Sequence, residues 1–145
     1  MSGFELSERI ERPPADVFRL LTDPGRVLTW LPEVLRLEPL TEGPPAVGTR
    51  FRESRRVMGR EAQAELEIAA YEPPTRYAVR NVTSGVETTY TYALRPDASG
   101  TAIRLVCDVR ASGPRRLSAL LPSQVLRRQD RHHLEQLKAA AELTP

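Results

Sequence analysis

Apolar and polar residues alternate along most of this chain, and the period lengthens only near the two ends. Ile103, Leu105, Cys107 and Val109 occupy one side of a two-residue repeat, with Arg104, Asp108 and Arg110 on the other. That period predicts a strand with one face toward a core and one toward water. The repeat recurs in Phe4, Leu6 and Ile10, where Glu8 interrupts the apolar series. It recurs in Leu35, Leu37 and Pro39, in Phe51, Glu53, Arg55 and Val57, and in Ala62, Ala64, Leu66 and Ile68. Tyr77, Val79 and Asn81 and then Val86, Thr88, Tyr90, Tyr92 and Leu94 continue it. Between these runs stand turn signals: Gly43-Pro44-Pro45, Met58-Gly59-Arg60, Glu72-Pro73-Pro74-Thr75, Ser84-Gly85 and Pro96 to Gly100.

Helical spacing appears in three places. Val17, Phe18, Leu20 and Leu21 cluster on one side of a short segment, Asp16 to Leu21. A second short segment runs from Arg26 to Trp30-Leu31-Pro32 after the turn Asp23-Pro24-Gly25. The longest spans Pro114 to Leu143, where Leu117, Leu120, Leu126, Leu134, Leu137 and Ala141 mark an apolar stripe. Pro122 lies within it and predicts a kink or a break. The order is one strand, two short helices, about six strands and a long helix. Strands at hairpin spacing with no helix between them form an antiparallel sheet. A final amphipathic helix then has one face of that sheet to cover. The expected class is α+β.

Composition narrows the possibilities. A chain of 145 residues suits one domain, residues 1–145, and no repeat or linker divides it. No apolar run reaches the ~18 residues of a membrane span, so stable membrane insertion is not expected. The first residues lack the pattern of a secretory signal, and Cys107 is the only cysteine; together these predict a cytoplasmic protein. Net charge is +2, from 21 basic and 19 acidic residues, too balanced to call for a polyanion. Arginines gather at Arg50, Arg52, Arg55, Arg56 and Arg60 and again at Arg115, Arg116, Arg127, Arg128 and Arg131. Glu61, Glu65 and Glu67 lie on the neighbouring strand and could pair with the first group. No nucleic-acid partner is expected.

Five stretches carry a family resemblance: IERPPADVFRLLTDPGRVLTWLP (Ile10 to Pro32), VGTRF (Val47 to Phe51), YEPPTRYAVR (Tyr71 to Arg80), TYTYALRPDASGTAIRLVCDV (Thr89 to Val109) and LEQLKAAAE (Leu134 to Glu142). In this order the chain resembles the START-like superfamily, also called SRPBCC or Bet v 1-like, and most closely its polyketide cyclase/dehydrase-like branch. The resemblance implies a helix-grip fold. In it a curved antiparallel sheet of about seven strands wraps the C-terminal helix, and two short helices close one end. It also implies a cavity between sheet and helix that takes lipids, polyketides or similar molecules.

The residues themselves point toward such a cavity. Glu53 and Arg55 share a face with Phe51 and Val57, Asn81 follows Tyr77 and Val79, and Thr88 and Tyr90 flank Tyr92. Unpaired charges in a dry core would cost several kcal/mol, whereas a few polar groups in an apolar wall are usual for a small-molecule site. Two alternatives stand: a register shifted by one, which turns the charges to water, or an internal Glu53–Arg55 pair with no ligand. Trp30 either borders the cavity mouth or caps the core. The tyrosines are hydroxyl donors or core residues. His132 and His133 point about 100° apart on a helix and make a poor metal pair, so no metal or other cofactor is expected. Cys107, on an apolar face, reads as a buried thiol.

The expected function is binding of a hydrophobic small molecule. Trp30, Phe51, Glu53, Arg55, Tyr77, Val79, Asn81, Thr88, Tyr90, Tyr92, Leu126 and Leu134 would line the pocket. Two alternatives are a polyketide aromatase/cyclase-like enzyme, with unassigned catalytic residues, and a ligand-free interaction or chaperone-like module. The chain would act as a monomer or a homodimer.

Overall fold

The computed structural model describes residues 2–83, 85–111 and 123–143. The chain runs β1 (Ser2–Ile10), α1 (Pro14–Thr22), α2 (Pro24–Trp30), β2 (Val34–Pro39), β3 (Arg50–Val57), β4 (Arg60–Glu72), β5 (Arg76–Thr83), β6 (Val86–Asp97), β7 (Gly100–Ala111) and α3 (Ser123–Leu143). The seven strands form one sheet in the order β1-β7-β6-β5-β4-β3-β2. Every neighbouring pair is antiparallel. Strands β2 to β7 are a meander, and β1 joins its far end by pairing with β7, so the first strand lies beside the last. This is the helix-grip arrangement.

The short helices begin where their sequences allow. Pro14 opens α1, where a missing N–H costs nothing. Arg12 pairs with Asp16 in its first turn at 2.7 Å. Asp23 ends α1 and starts α2, its carboxylate accepting a hydrogen bond from Gly25 N at 3.0 Å. The Trp30 indole Nε1–H donates to the Leu20 carbonyl at 3.0 Å, which ties the end of α2 to α1.

Helix α3 lies along β1 and also touches α1 and α2. Leu134, Leu137 and Ala141 are almost fully buried and join Leu6, Ile10, Val17, Ile103 and Leu105 in one core. The polar side of the helix holds the sheet edge. Arg131 donates to the Ser7 carbonyl at 3.1 Å and Lys138 to the Arg9 carbonyl at 2.6 Å. Glu142 accepts from Glu11 N at 2.9 Å. Strand β1 is an edge strand, and these contacts occupy carbonyls that would otherwise be open to another chain. The other edge, β2, is six residues long, carries an irregularity between Val34 and Arg36, and ends in Pro39.

One expectation needs revision. Strand β4 is longer than its alternation suggested and runs through Tyr71, because the pairing shifts between Ile68 and Ala70. The shift reverses the parity, so Ile68 faces Val79 and Tyr71 faces Tyr77 on one side of the sheet. Tyr71 thereby packs edge-on against Phe18, with ring centroids 5.6 Å apart. The described part of the last helix begins at Ser123. The expected kink at Pro122 and the helix from Pro114 lie outside the described residues.

Candidate functional site

A cavity of about 600 Å³ opens between the concave sheet face, α2 and α3 at Asp130 and His133. It lies beyond the dry contact made by Leu134, Leu137 and Ala141, so α3 packs tightly along one stretch and roofs a hollow along another. The register sets the wall. Tyr77 faces Tyr92, Val79 faces Tyr90 and Asn81 faces Thr88 across β5 and β6. Phe51 faces Leu66 and Glu53 faces Ala64 across β3 and β4. All ten of these residues line the cavity, as do Arg55 and Trp30. Val27, Leu31 and Leu37 extend its apolar surface, as does Pro39 at the end of β2, and Thr41, Gly43 and Pro45 border it from the β2–β3 loop.

One residue expected in the wall is placed otherwise. Leu134 does not line the cavity; at 2% exposed it is part of the core. It lies one turn beyond Asp130, on the stretch of α3 that meets β1 directly. The side chain of Leu126 lies outside the described residues.

Glu53 and Arg55 face inward and hold each other. Arg55 Nε lies 2.5 Å from Glu53 Oε1, with the side chains 26% and 13% exposed. The register shift that would have put them in water is not what the structure shows. Three further arginines of the sheet are matched by acids: Arg36 with Glu61 at 2.6 Å, Arg50 with Glu65 at 2.9 Å, and Arg80 with Glu67. Asn81 borders the cavity, but its amide is engaged. Nδ2 donates to the Glu65 carbonyl at 3.0 Å, and Oδ1 accepts from the Thr83 hydroxyl at 2.9 Å. Trp30 is 6% exposed and both packs in the core and lines the cavity, so its two expected roles coincide.

Burial raises the tyrosine hydroxyls Tyr77, Tyr90 and Tyr92 well above the ordinary tyrosine range. Neighbouring groups add to this: Tyr71 at Tyr77, and the Asp130 carboxylate at Tyr90 and Tyr92. These side chains are therefore O–H donors at any physiological pH, not phenolate bases. Tyr77 and Tyr92 stack with ring centroids 6.4 Å apart. Cys107 is fully buried, and burial together with Asp130 pushes its thiol up to about 12, which leaves it without thiolate character.

The alternation had not marked out Asp130, His133 and Glu33. Asp130 is 5% exposed and forms part of the wall. His133 Nδ1 lies 3.5 Å from Asp130 Oδ1, and its Nε2 lies 2.7 Å from Glu33 Oε1. The carboxylates sit on opposite ring nitrogens and do not converge on one point; among the described residues no group of three is arranged to hold a metal. His132 is exposed and takes no part. A signal was present: Asp130 stands in the same stripe as Leu134, Leu137 and Ala141, at spacings of four, seven and eleven.

No curated protein matches the sequence. Several solved structures share the fold. The di-domain ARO/CYC BexL from the BE-7585A biosynthetic pathway superposes with a TM-score of 0.82 at 21% identity. The match covers 100% of this chain and 48% of that one. Protein CV1439 from Chromobacterium violaceum gives 0.79 at 18% identity over 98% and 99% of the two chains. Ara h 8.0201 gives 0.77 at 17% identity over 97% of each. Residues 1–142 match the model of the family described as polyketide cyclase/dehydrase and lipid transport. With that match and the helix-grip sheet, the chain belongs to the polyketide cyclase/dehydrase and lipid transport family of the START-like, or SRPBCC, superfamily.

Proposed function

We propose that this protein binds a hydrophobic small molecule in the cavity between the sheet and α3. The observation that carries this is the cavity itself: about 600 Å³ behind a mainly apolar wall, with Glu53 and Arg55 paired to each other. A volume in that range suits a ligand of moderate size. Burial of ligand apolar surface, worth roughly 25 cal/mol per Å², would drive binding. Phe51, Leu66, Val79 and Trp30 supply the greasy surface; the tyrosines supply donors. The family description names lipid transport and polyketide cyclases, and both handle mainly apolar molecules.

Native mass spectrometry of the purified protein tests the proposal. A bound mass that departs on denaturation supports it. Ala64→Trp, which fills the cavity from its wall, should abolish that mass while leaving the fold intact. A protein that carries no small molecule, and takes up none from a mixture of fatty acids, aromatic polyketides and sterols, would refute it.

A cyclase is the second reading, favoured by the Glu53–Arg55 pair among neutral tyrosine donors. Arg55 would stabilise a developing enolate oxygen and a tyrosine would supply a proton. The chain would then convert a poly-β-ketone substrate, and Arg55→Met would abolish conversion while leaving the substrate bound.

A further inference from the structure

We propose that Asp130 is the anchor of the cavity and that the ligand it selects is an apolar molecule bearing a neutral hydroxyl donor, an alcohol, phenol or enol. This inference rests on the small-molecule reading above and specifies the chemistry of its ligand. Asp130 is 95% buried, on the cavity wall, and its Oδ2 has no hydrogen-bond partner among the described residues. Native structures rarely leave a buried carboxylate oxygen unmatched, and one that borders a hollow calls for a donor within the hollow.

Two other acceptors on the wall are already engaged. Glu53 holds Arg55, and the Asn81 carbonyl accepts from Thr83. His133 Nδ1 lies 3.5 Å from Asp130 Oδ1 and its Nε2 2.7 Å from Glu33 Oε1; of the two buried carboxylate oxygens without a hydrogen-bond partner among the described residues, Glu33 Oε1 and Asp130 Oδ2, only the second belongs to a residue of the cavity wall. The charge of Asp130 acts on both Tyr90 and Tyr92 more strongly than any other neighbour does, so the carboxylate stands among O–H donors. A ligand hydroxyl at this point can donate to Asp130 and accept from a tyrosine at once. A carboxylate ligand would meet a like charge. An ammonium ligand would give up its hydration in a mainly apolar space. A neutral hydroxyl meets no like charge, and its smaller loss of hydration is offset by the hydrogen bond to Asp130.

The test compares 2-naphthol with 2-methoxynaphthalene, the same ring with its donor masked, by isothermal titration calorimetry. The wild-type protein should bind the naphthol about tenfold tighter or more, the range of a hydrogen bond to a charged group. Asp130→Leu should reduce naphthol affinity to that of the ether and leave the ether unchanged. Asp130→Asn keeps shape and a neutral acceptor, and should narrow the preference without removing it. It serves as the comparison if the leucine variant does not fold. Equal wild-type affinities, or a preference that survives in both variants, overturn the assignment of Asp130 and leave the cavity reading standing. If the wild type binds neither probe, this assignment is overturned, and the cavity reading is decided separately by the native mass spectra.

Discussion

Tyr77, Tyr90, Tyr92 and Cys107 share one property with consequences for stability: burial holds all four protonated in the folded protein. In the unfolded chain the thiol ionises near pH 8.5 and the hydroxyls near pH 10. Between about pH 9 and 12 the folded state therefore binds more protons than the unfolded one. The proton difference, unfolded minus folded, is negative, so stability falls as pH rises, by up to roughly 1.4 kcal/mol per pH unit for each group. Urea midpoints should drop steadily from pH 8.5 to pH 11, and Tyr92→Phe should flatten the decline. A midpoint that holds constant to pH 11 would show that these hydroxyls ionise in place. At neutral pH the same shifts fix the tyrosines as donors, the form a bound oxygen atom requires.

At the level of elements, the strands were legible because one face of each is buried and the other is not. Ile103, Leu105, Cys107 and Val109 are all buried while Arg104 and Arg110 are exposed, as a period of two demands. Tyr71 was not legible. Its placement depends on the one-residue slip between β4 and β5, and a slip is set by cross-strand pairing that local alternation does not record. Another constraint of this kind is Gly100, where β7 begins. A Cβ there would sit 2.5 Å from the Ile10 carbonyl oxygen, a backbone atom with nowhere to move. Gly100→Ala should cost about 1–3 kcal/mol in chemical denaturation. An unchanged midpoint would mean that the ends of β1 and β7 are free to separate.

Across the whole molecule, α3 meets two different environments, and stability and binding should divide between them. Leu137, fully buried, belongs to the dry half. Leu137→Ala should cost about 2–5 kcal/mol. Val79, on the cavity wall, already faces open space, so Val79→Ala should cost under about 1.5 kcal/mol while weakening ligand uptake. Equal losses at both positions would mean that the hollow is as well packed as the core. This division also explains which parts of the site could be read in advance. That Glu53 and Arg55 share a face with Phe51, and Tyr77 a face with Val79, follows from parity; that these faces point inward is fixed by the cross-strand register. The hollow does not, because its volume depends on how far α3 stands from the sheet, a distance no periodicity encodes. Asp130 went unnoticed because a carboxylate within an apolar stripe looks like a gap in the stripe.

Trp30 is the chain's only tryptophan, and its indole is pinned to the Leu20 carbonyl while its ring forms part of the wall. The protein thus contains a single optical reporter at the place where a guest would arrive. Filling the hollow should displace water from around the indole and shift its emission to shorter wavelength, with no label attached. An apolar guest that binds without moving that spectrum would have to sit away from α2, which makes the colour of one side chain a map of where the occupant lies.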